Sequence, residues 1–237
     1  MYEYLIGCLI LFIIWMIGFI LRKDLRKPMI WSGIMYAFVM GILFILIKFF
    51  QYFGLITQTI VPGYWSPDTL FNLTCLTGGY GIEDGIFMFL VGGIAIFVYE
   101  YFCKKRIKIK KNPKHHIKAI VIALVLAILF GLIFDFNLIY TLIIFGLVGA
   151  ICMWIERKDL IKHSLFGGLS FMIIYFIAFF VFNTIFPNFI AGVYNFENLS
   201  NILIFTVPIE ELLYASSFGL MWAPIYEYEH GEKDIEL

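Results

Sequence analysis

Four carboxyl groups stand out by where they sit. Glu210 and Glu211, in "TVPIEELLYASS" (206–217), follow an uncharged run from Asn201 and precede uncharged chain as far as Tyr226. Glu83 and Asp84, in "GGYGIEDGIFMF" (78–89), are likewise followed by apolar sequence up to Tyr99. Burying a carboxyl in hydrocarbon costs at least ~2.5 kcal/mol, so an acid inside a membrane span marks function by default. Carboxyl groups held together in low dielectric cannot all ionise, and one that keeps its proton at neutral pH is equipped for general-acid catalysis on a weakly basic substrate. A cation formed there needs an anion and aromatic faces, for which ionised neighbours and Phe87, Phe89, Tyr214 and Trp222 are candidates. The matching substrate is an apolar, membrane-dissolved molecule with a protonatable site, such as a polyene. The plainer alternative is that each pair opens a helix and complements its dipole, since Gly78, Gly79 and Gly81 precede one pair and Pro208 the other.

The elements that must position these acids are membrane helices. Of 237 residues, 62% are hydrophobic, 19% aromatic and only 14% charged, against about 45–50% apolar and about 25% charged in soluble domains. This departure specifies an all-α integral membrane protein. Zero net charge argues against a nucleic-acid partner, because basic residues supply most of that affinity. Cys8, Cys75, Cys103 and Cys152 form no CxxC pair and read as small buried hydrophobes. The histidines fall in polar connections, so no metal site is expected. No cofactor is expected either: the glycines from Gly78 to Gly85 lack the spacing and βαβ setting of a dinucleotide fingerprint.

Seven apolar segments can span, at about 3–21, 29–53, 81–103, 117–134, 137–155, 164–186 and 200–227. The first has no basic residue before it and "RKDLRK" after it, which predicts a retained helix rather than a cleaved signal. Basic residues gather after the first, third and fifth spans and in the tail; Lys104–Lys118 carries eight of them. The positive-inside rule therefore predicts the N-terminus outside and the C-terminus in the cytoplasm, with the 104–118 run a solvated loop near anionic headgroups. Residues 54–80 and 187–200 are nearly uncharged and predict loops folded over the mouth of the bundle, with Asp68 capping a short helix through Leu76. Tyr99, Glu100, Tyr226 and Glu227 read as interfacial anchors.

The chain also repeats itself. "IEDGIFMFLVGGIAIFVYEY" (82–101) aligns without a gap on "IEELLYASSFGLMWAPIYEY" (209–228), and "RKDL" at 22–25 recurs at 157–160. Spans one to three thus correspond to spans five to seven, with the fourth inserted. An inserted span keeps the two units parallel, so both acidic pairs share one depth and converge if the third and seventh spans face each other. The organisation read from this is a first three-helix repeat at 1–103, a basic loop and inserted helix at 104–136, and a second repeat with a tail at 137–237.

The pattern "GIEDGIFMF…VYE" with "VPIEELLY…IYE" resembles the membrane-embedded lycopene cyclase family in its fused, two-unit form, where each unit carries a Pro-x-Glu-(Glu/Asp) motif. The resemblance covers nearly the whole chain, and it departs at Gly81, where the family has Pro. It implies acid-catalysed, redox-neutral cyclisation of the linear ends of lycopene or a related carotenoid to β-type rings, formally an isomerase or intramolecular lyase. The implied catalytic residues are Glu83, Asp84, Glu210 and Glu211, with Glu83→Gln or Glu210→Gln abolishing product. The implied partners are a lipophilic carotenoid, the bilayer and other carotenoid-pathway enzymes. Two other functions fit the acids: a non-catalytic module binding a lipid or isoprenoid, and a small proton-coupled transporter. A Glu-Glu intramembrane protease fits poorly, since Ala215 stands where its Arg belongs and no span contains His.

Overall fold

The computed structural model describes residues 2–103 and 117–230; the basic run 104–116 and Lys233 lie outside the described residues. The architecture is all-helical. Helices α1 (Glu3–Leu21), α2 (Arg26–Tyr52), α4 (Ile82–Cys103), α6 (Leu138–Glu156) and α7 (Ile161–Ile185) are long and apolar enough to cross a membrane. The inserted α5 (Lys118–Phe134) is apolar over 17 residues, about 25 Å at 1.5 Å per residue. Short helices α3 (Leu73–Thr77) and α8 (Phe189–Val193) sit in the loops, and α9 (Ile209–Trp222) with α10 (Ile225–His230) completes the bundle.

Two three-helix units are built alike. In the first, α1 and α2 pack on α4; in the second, α6 and α7 pack on α9; α4 also meets α7, and α5 packs on α6. Small residues permit the close approaches: a Cβ on Gly33 would lie 2.5 Å from the Phe89 carbonyl oxygen, and one on Gly168 would lie 2.8 Å from a Leu220 methyl carbon. Each unit turns its first corner with the same device. Arg22 donates to both carboxylate oxygens of Asp24 (3.0 and 2.7 Å) and to the Glu100 carbonyl (3.0 Å). Arg157 does the same with Asp159 (2.9 and 2.6 Å) and the Glu227 carbonyl (3.4 Å). The halves are tied across the centre, where Trp222 Nε1 donates to Ser32 Oγ (2.8 Å), which donates to the Gly92 carbonyl (2.8 Å).

Outward faces carry large exposed apolar side chains, among them Ile13, Phe38, Ile45 and Ile177. A surface that apolar is stable against lipid and not against water.

Three expectations need correction. The last span begins later than residue 200: Leu203–Ile204 and Val207–Pro208 form a small antiparallel hairpin, β1 and β2, turned through Phe205 with φ +56°. An apolar run does not distinguish strand from helix, and β-branched and aromatic residues tip this one to strand. Phe205, 77% exposed, leans on Phe176 and Phe180 of α7. Secondly, Tyr99 and Tyr226 are core residues, 0% and 2% exposed, because the two units close over them. Finally, Cys75 is exposed rather than buried.

The loops do fold over one end of the bundle. Ser66 N donates to the Val193 carbonyl (2.8 Å) and Asn195 N to the Tyr64 carbonyl (3.0 Å). Asn198 Nδ2 donates to the Gly63 carbonyl (2.6 Å), while Asn137 Nδ2 donates to the Asn198 carbonyl (2.7 Å). Gly78 (φ +73°) and Gly79 (φ +142°) let the chain leave α3 and enter α4, with Gly79 N closing on the Thr74 carbonyl (2.7 Å).

Candidate active site

All four sequence-selected acids are buried: Glu83 is 0%, Asp84 6%, Glu210 2% and Glu211 3% exposed. They do not share one role in the architecture. Successive residues on a helix point about 100° apart, so only one member of each pair can face a given wall. In both units it is the second.

Asp84 and Glu211 line a single cavity of about 150 Å³ beneath the paired loops. Asp84 accepts from the Tyr4 hydroxyl at Oδ1 (2.9 Å) and from the Gly81 N–H at Oδ2 (2.7 Å). Glu211 is caged by phenols: Tyr64 donates to Oε1, Tyr175 donates to Oε2 (2.7 Å), and Tyr194 is a third within hydrogen-bonding reach. Behind them the hydroxyls of Tyr36 and Tyr214 pair at 2.7 Å. The rest of the wall is apolar or aromatic, with Trp65 set edge-on to Tyr4 (4.6 Å between centroids) and Phe87 beside it (6.3 Å). Gly7 and Ile10 of α1 and Ala178 and Phe182 of α7 carry the lining outward to the lipid-facing surface.

Glu83 and Glu210 are not part of that wall. Glu83 Oε1 accepts from Leu70 N (2.6 Å), and Glu210 Oε1 accepts from Ser200 N (2.7 Å) and the Tyr140 hydroxyl (3.1 Å). Each first acid therefore holds the loop that roofs the cavity, and its Oε2 has no hydrogen-bond partner among the described residues. The short helical turn expected to be capped by exposed Asp68 has its Leu70 N–H taken by Glu83 instead, because the folded loop brings that N–H onto the helix start of α4.

Of the aromatics proposed from sequence, Phe87 and Tyr214 line the cavity, whereas Phe89 packs on Trp15 (5.6 Å) and Trp222 makes the central tie to Ser32. Sequence reasoning missed Tyr4, Tyr64, Tyr175 and Tyr194. A signal was present for Tyr4 and Tyr175: a phenol within an apolar span must find a polar partner when buried, and the acids are the available ones. Tyr64 and Tyr194 are loop residues that only loop pairing brings inward.

The arrangement offers two carboxyl groups to one apolar, aromatic chamber beneath the paired loops. There a proton can be given to carbon and a positive charge can be met by a carboxylate and ring faces. Searches of curated proteins and of solved structures return no match. The sequence model of the family described as lycopene cyclase matches residues 2–102 and 137–229, the two units on either side of the inserted helix. Matched over most of its length in two segments, each carrying one acidic pair, this chain belongs to the lycopene cyclase family.

Proposed function

We propose that the chain cyclises the linear ends of lycopene, or of a related acyclic carotenoid, to β-type rings by acid catalysis. The single observation that carries this reading is the convergence of Asp84 and Glu211, one from each motif, on one apolar cavity. The reaction shifts a proton and electron pairs and leaves the oxidation state unchanged. One acid and one anion therefore suffice, a positioned acid contributing about 10²–10⁴-fold. A cavity near 150 Å³ matches one that takes a benzene-sized group, so it receives one end of a polyene at a time. The remaining chain lies along the apolar exit between α1 and α7. Substrate arrives from the bilayer, and other enzymes of the carotenoid pathway are its neighbours in the membrane.

In the membrane the N-terminus faces outward and the C-terminus the cytoplasm, as the basic clusters require. With the native cysteines replaced, thiol labelling of a cysteine introduced at Tyr52 against one at Lys158 tests that orientation, the former reacting from outside only.

Pigment chromatography after expression in a lycopene-accumulating host tests the activity. Cyclic carotenes are expected from the parent and absent with Glu211→Gln. Unchanged lycopene in cells holding folded parent protein rules out lycopene as the substrate, and failure to cyclise any acyclic carotenoid rules the reading out and favours a binding module.

A further inference from the structure

Asp84 and Glu211 occupy equivalent places in the two repeats but have different hydrogen-bond shells. Asp84 Oδ2 receives the main-chain N–H of Gly81 (2.7 Å). An N–H only donates, so that oxygen is fixed as an acceptor, and such a bond favours the ionised carboxylate. The corresponding residue before Glu211 is Pro208, which has no N–H to give. The hydrogen-bond partners of Glu211 are the hydroxyls of Tyr64 and Tyr175, with Tyr194 lining the same cavity beside them. A phenol donates to a carboxylate and accepts from a carboxylic acid equally well. The Glu211 shell therefore accommodates a proton on either oxygen, whereas at Asp84 the Gly81 N–H closes Oδ2 to a proton and only Oδ1, beside the Tyr4 hydroxyl, can take one.

Resting on the cyclase reading, we infer that the two acids divide the reaction: Glu211 holds and delivers the proton, and Asp84 is the resident anion, giving the cavity an affinity for isoprenoid chains ending in a protonated tertiary amine. In the forward step the Glu211 O–H bond breaks and a C–H bond forms at the terminal double bond, leaving a tertiary cation. The electron pair of a nearby double bond closes the ring and moves the cation into it. A ring C–H then gives its proton to Asp84, its electrons forming the ring double bond. Transfer of that proton back to Glu211 restores the site, and nothing is oxidised or reduced. The phenols are positioning residues here, holding the acid proton toward the cavity. Gly81, the departure from the family motif, fixes the charge on Asp84.

The test is binding of a linear isoprenoid tertiary amine, which carries its charge where the cation forms, by purified full-length protein. Binding of the uncharged acyclic polyene, followed by tryptophan quenching, serves as the folding control. Glu211→Gln should keep the parent affinity for the amine. Asp84→Asn should lose about thirtyfold or more, the usual cost of removing one partner of a buried charge pair, with polyene binding unchanged. Equal losses in both variants, or a loss confined to Glu211→Gln, overturn the assignment. Should Asp84→Asn not bind the polyene, Tyr64→Phe/Tyr175→Phe decides: slower turnover with amine affinity intact supports the division, and weakened amine binding refutes it. A parent that cyclises lycopene while failing these binding tests loses the division only. A parent that cyclises no acyclic carotenoid loses both readings.

Discussion

The two repeats agree in frame and differ in chamber. Arg22 and Arg157 lock equivalent corners through Asp24 and Asp159 and through the Glu100 and Glu227 carbonyls. Glu83 and Glu210 each hold a roofing loop by one backbone N–H, and Asp84 and Glu211 each face inward. Around the inward acids the likeness ends, with one phenol and one N–H on Asp84 against a cluster of phenols on Glu211. The repeats supply a similar scaffold, and the proposed division of roles rests on where the two chamber walls differ. The site is assembled from both halves: Tyr4, Asp84 and Phe87 come from one unit, and Tyr175, Glu211 and Tyr214 from the other.

The largest effects should come from the inward acids. Asp84→Asn and Glu211→Gln should each lower carotenoid cyclisation about 100-fold or more, the range of a positioned acid or base, measured as cyclic product per folded protein. Retention of activity in either would dissolve the contrast between inward and roof-holding acids. The roof acids sharpen that contrast, and the structure moves the expectation for them away from simple loss. Glu83→Gln and Glu210→Gln keep an acceptor for Leu70 N and Ser200 N and should remain within a few-fold of the parent. Glu83→Ala and Glu210→Ala leave those N–H groups buried without an acceptor, costing about 1–3 kcal/mol each. Thermal unfolding beside pigment analysis separates the two cases; abolished turnover in a stable glutamine variant would make the first acids catalytic after all.

Smaller effects should follow at the serines. Ser32 bonds to both halves, whereas Ser164 bonds to Leu220 within its own unit. Ser32→Ala leaves the Trp222 N–H unpaired at the centre and should destabilise by about 1–3 kcal/mol, more than Ser164→Ala in the same melt. The mildest changes lie at the surface. Arg22→Ala and Arg157→Ala should give small and matching losses, on the order of 1 kcal/mol or less, reduced further by salt.

One surface device belongs to the first loop alone. The Thr57 hydroxyl, with the Thr57 and Gln58 N–H groups, holds the Asp135 carboxyl below the usual carboxylate range. A depressed folded-state pKa gives stability that is present above the unfolded value, near 4, and is lost as pH falls through the folded value. The acid limb of a melting-temperature profile should therefore be shallower in Asp135→Asn than in the parent.

Five of the seven apolar segments, the repeat and the acidic pairs were legible from residue order alone, because span length and apolar run are local properties set by bilayer thickness; the inserted helix and the last segment form shorter helices than that reading gives them. Both units kept enough of their motif to be superposed as text. The hairpin at 203–208 was not legible, since a short apolar run fits a strand or a helix and its β-branched and aromatic residues only tip the balance. Nor were the tyrosines: Tyr64 lies 147 residues from Glu211 in the chain, and no spacing rule links them. The sequence by itself determined that a helical membrane bundle would carry two carboxyl pairs at equivalent places in two repeats. Only the tertiary structure decided that the second member of each pair faces the cavity and the first holds the roof. Neighbouring residues on a helix diverge by about 100°, and the direction that counts as inward is set by how the helices pack.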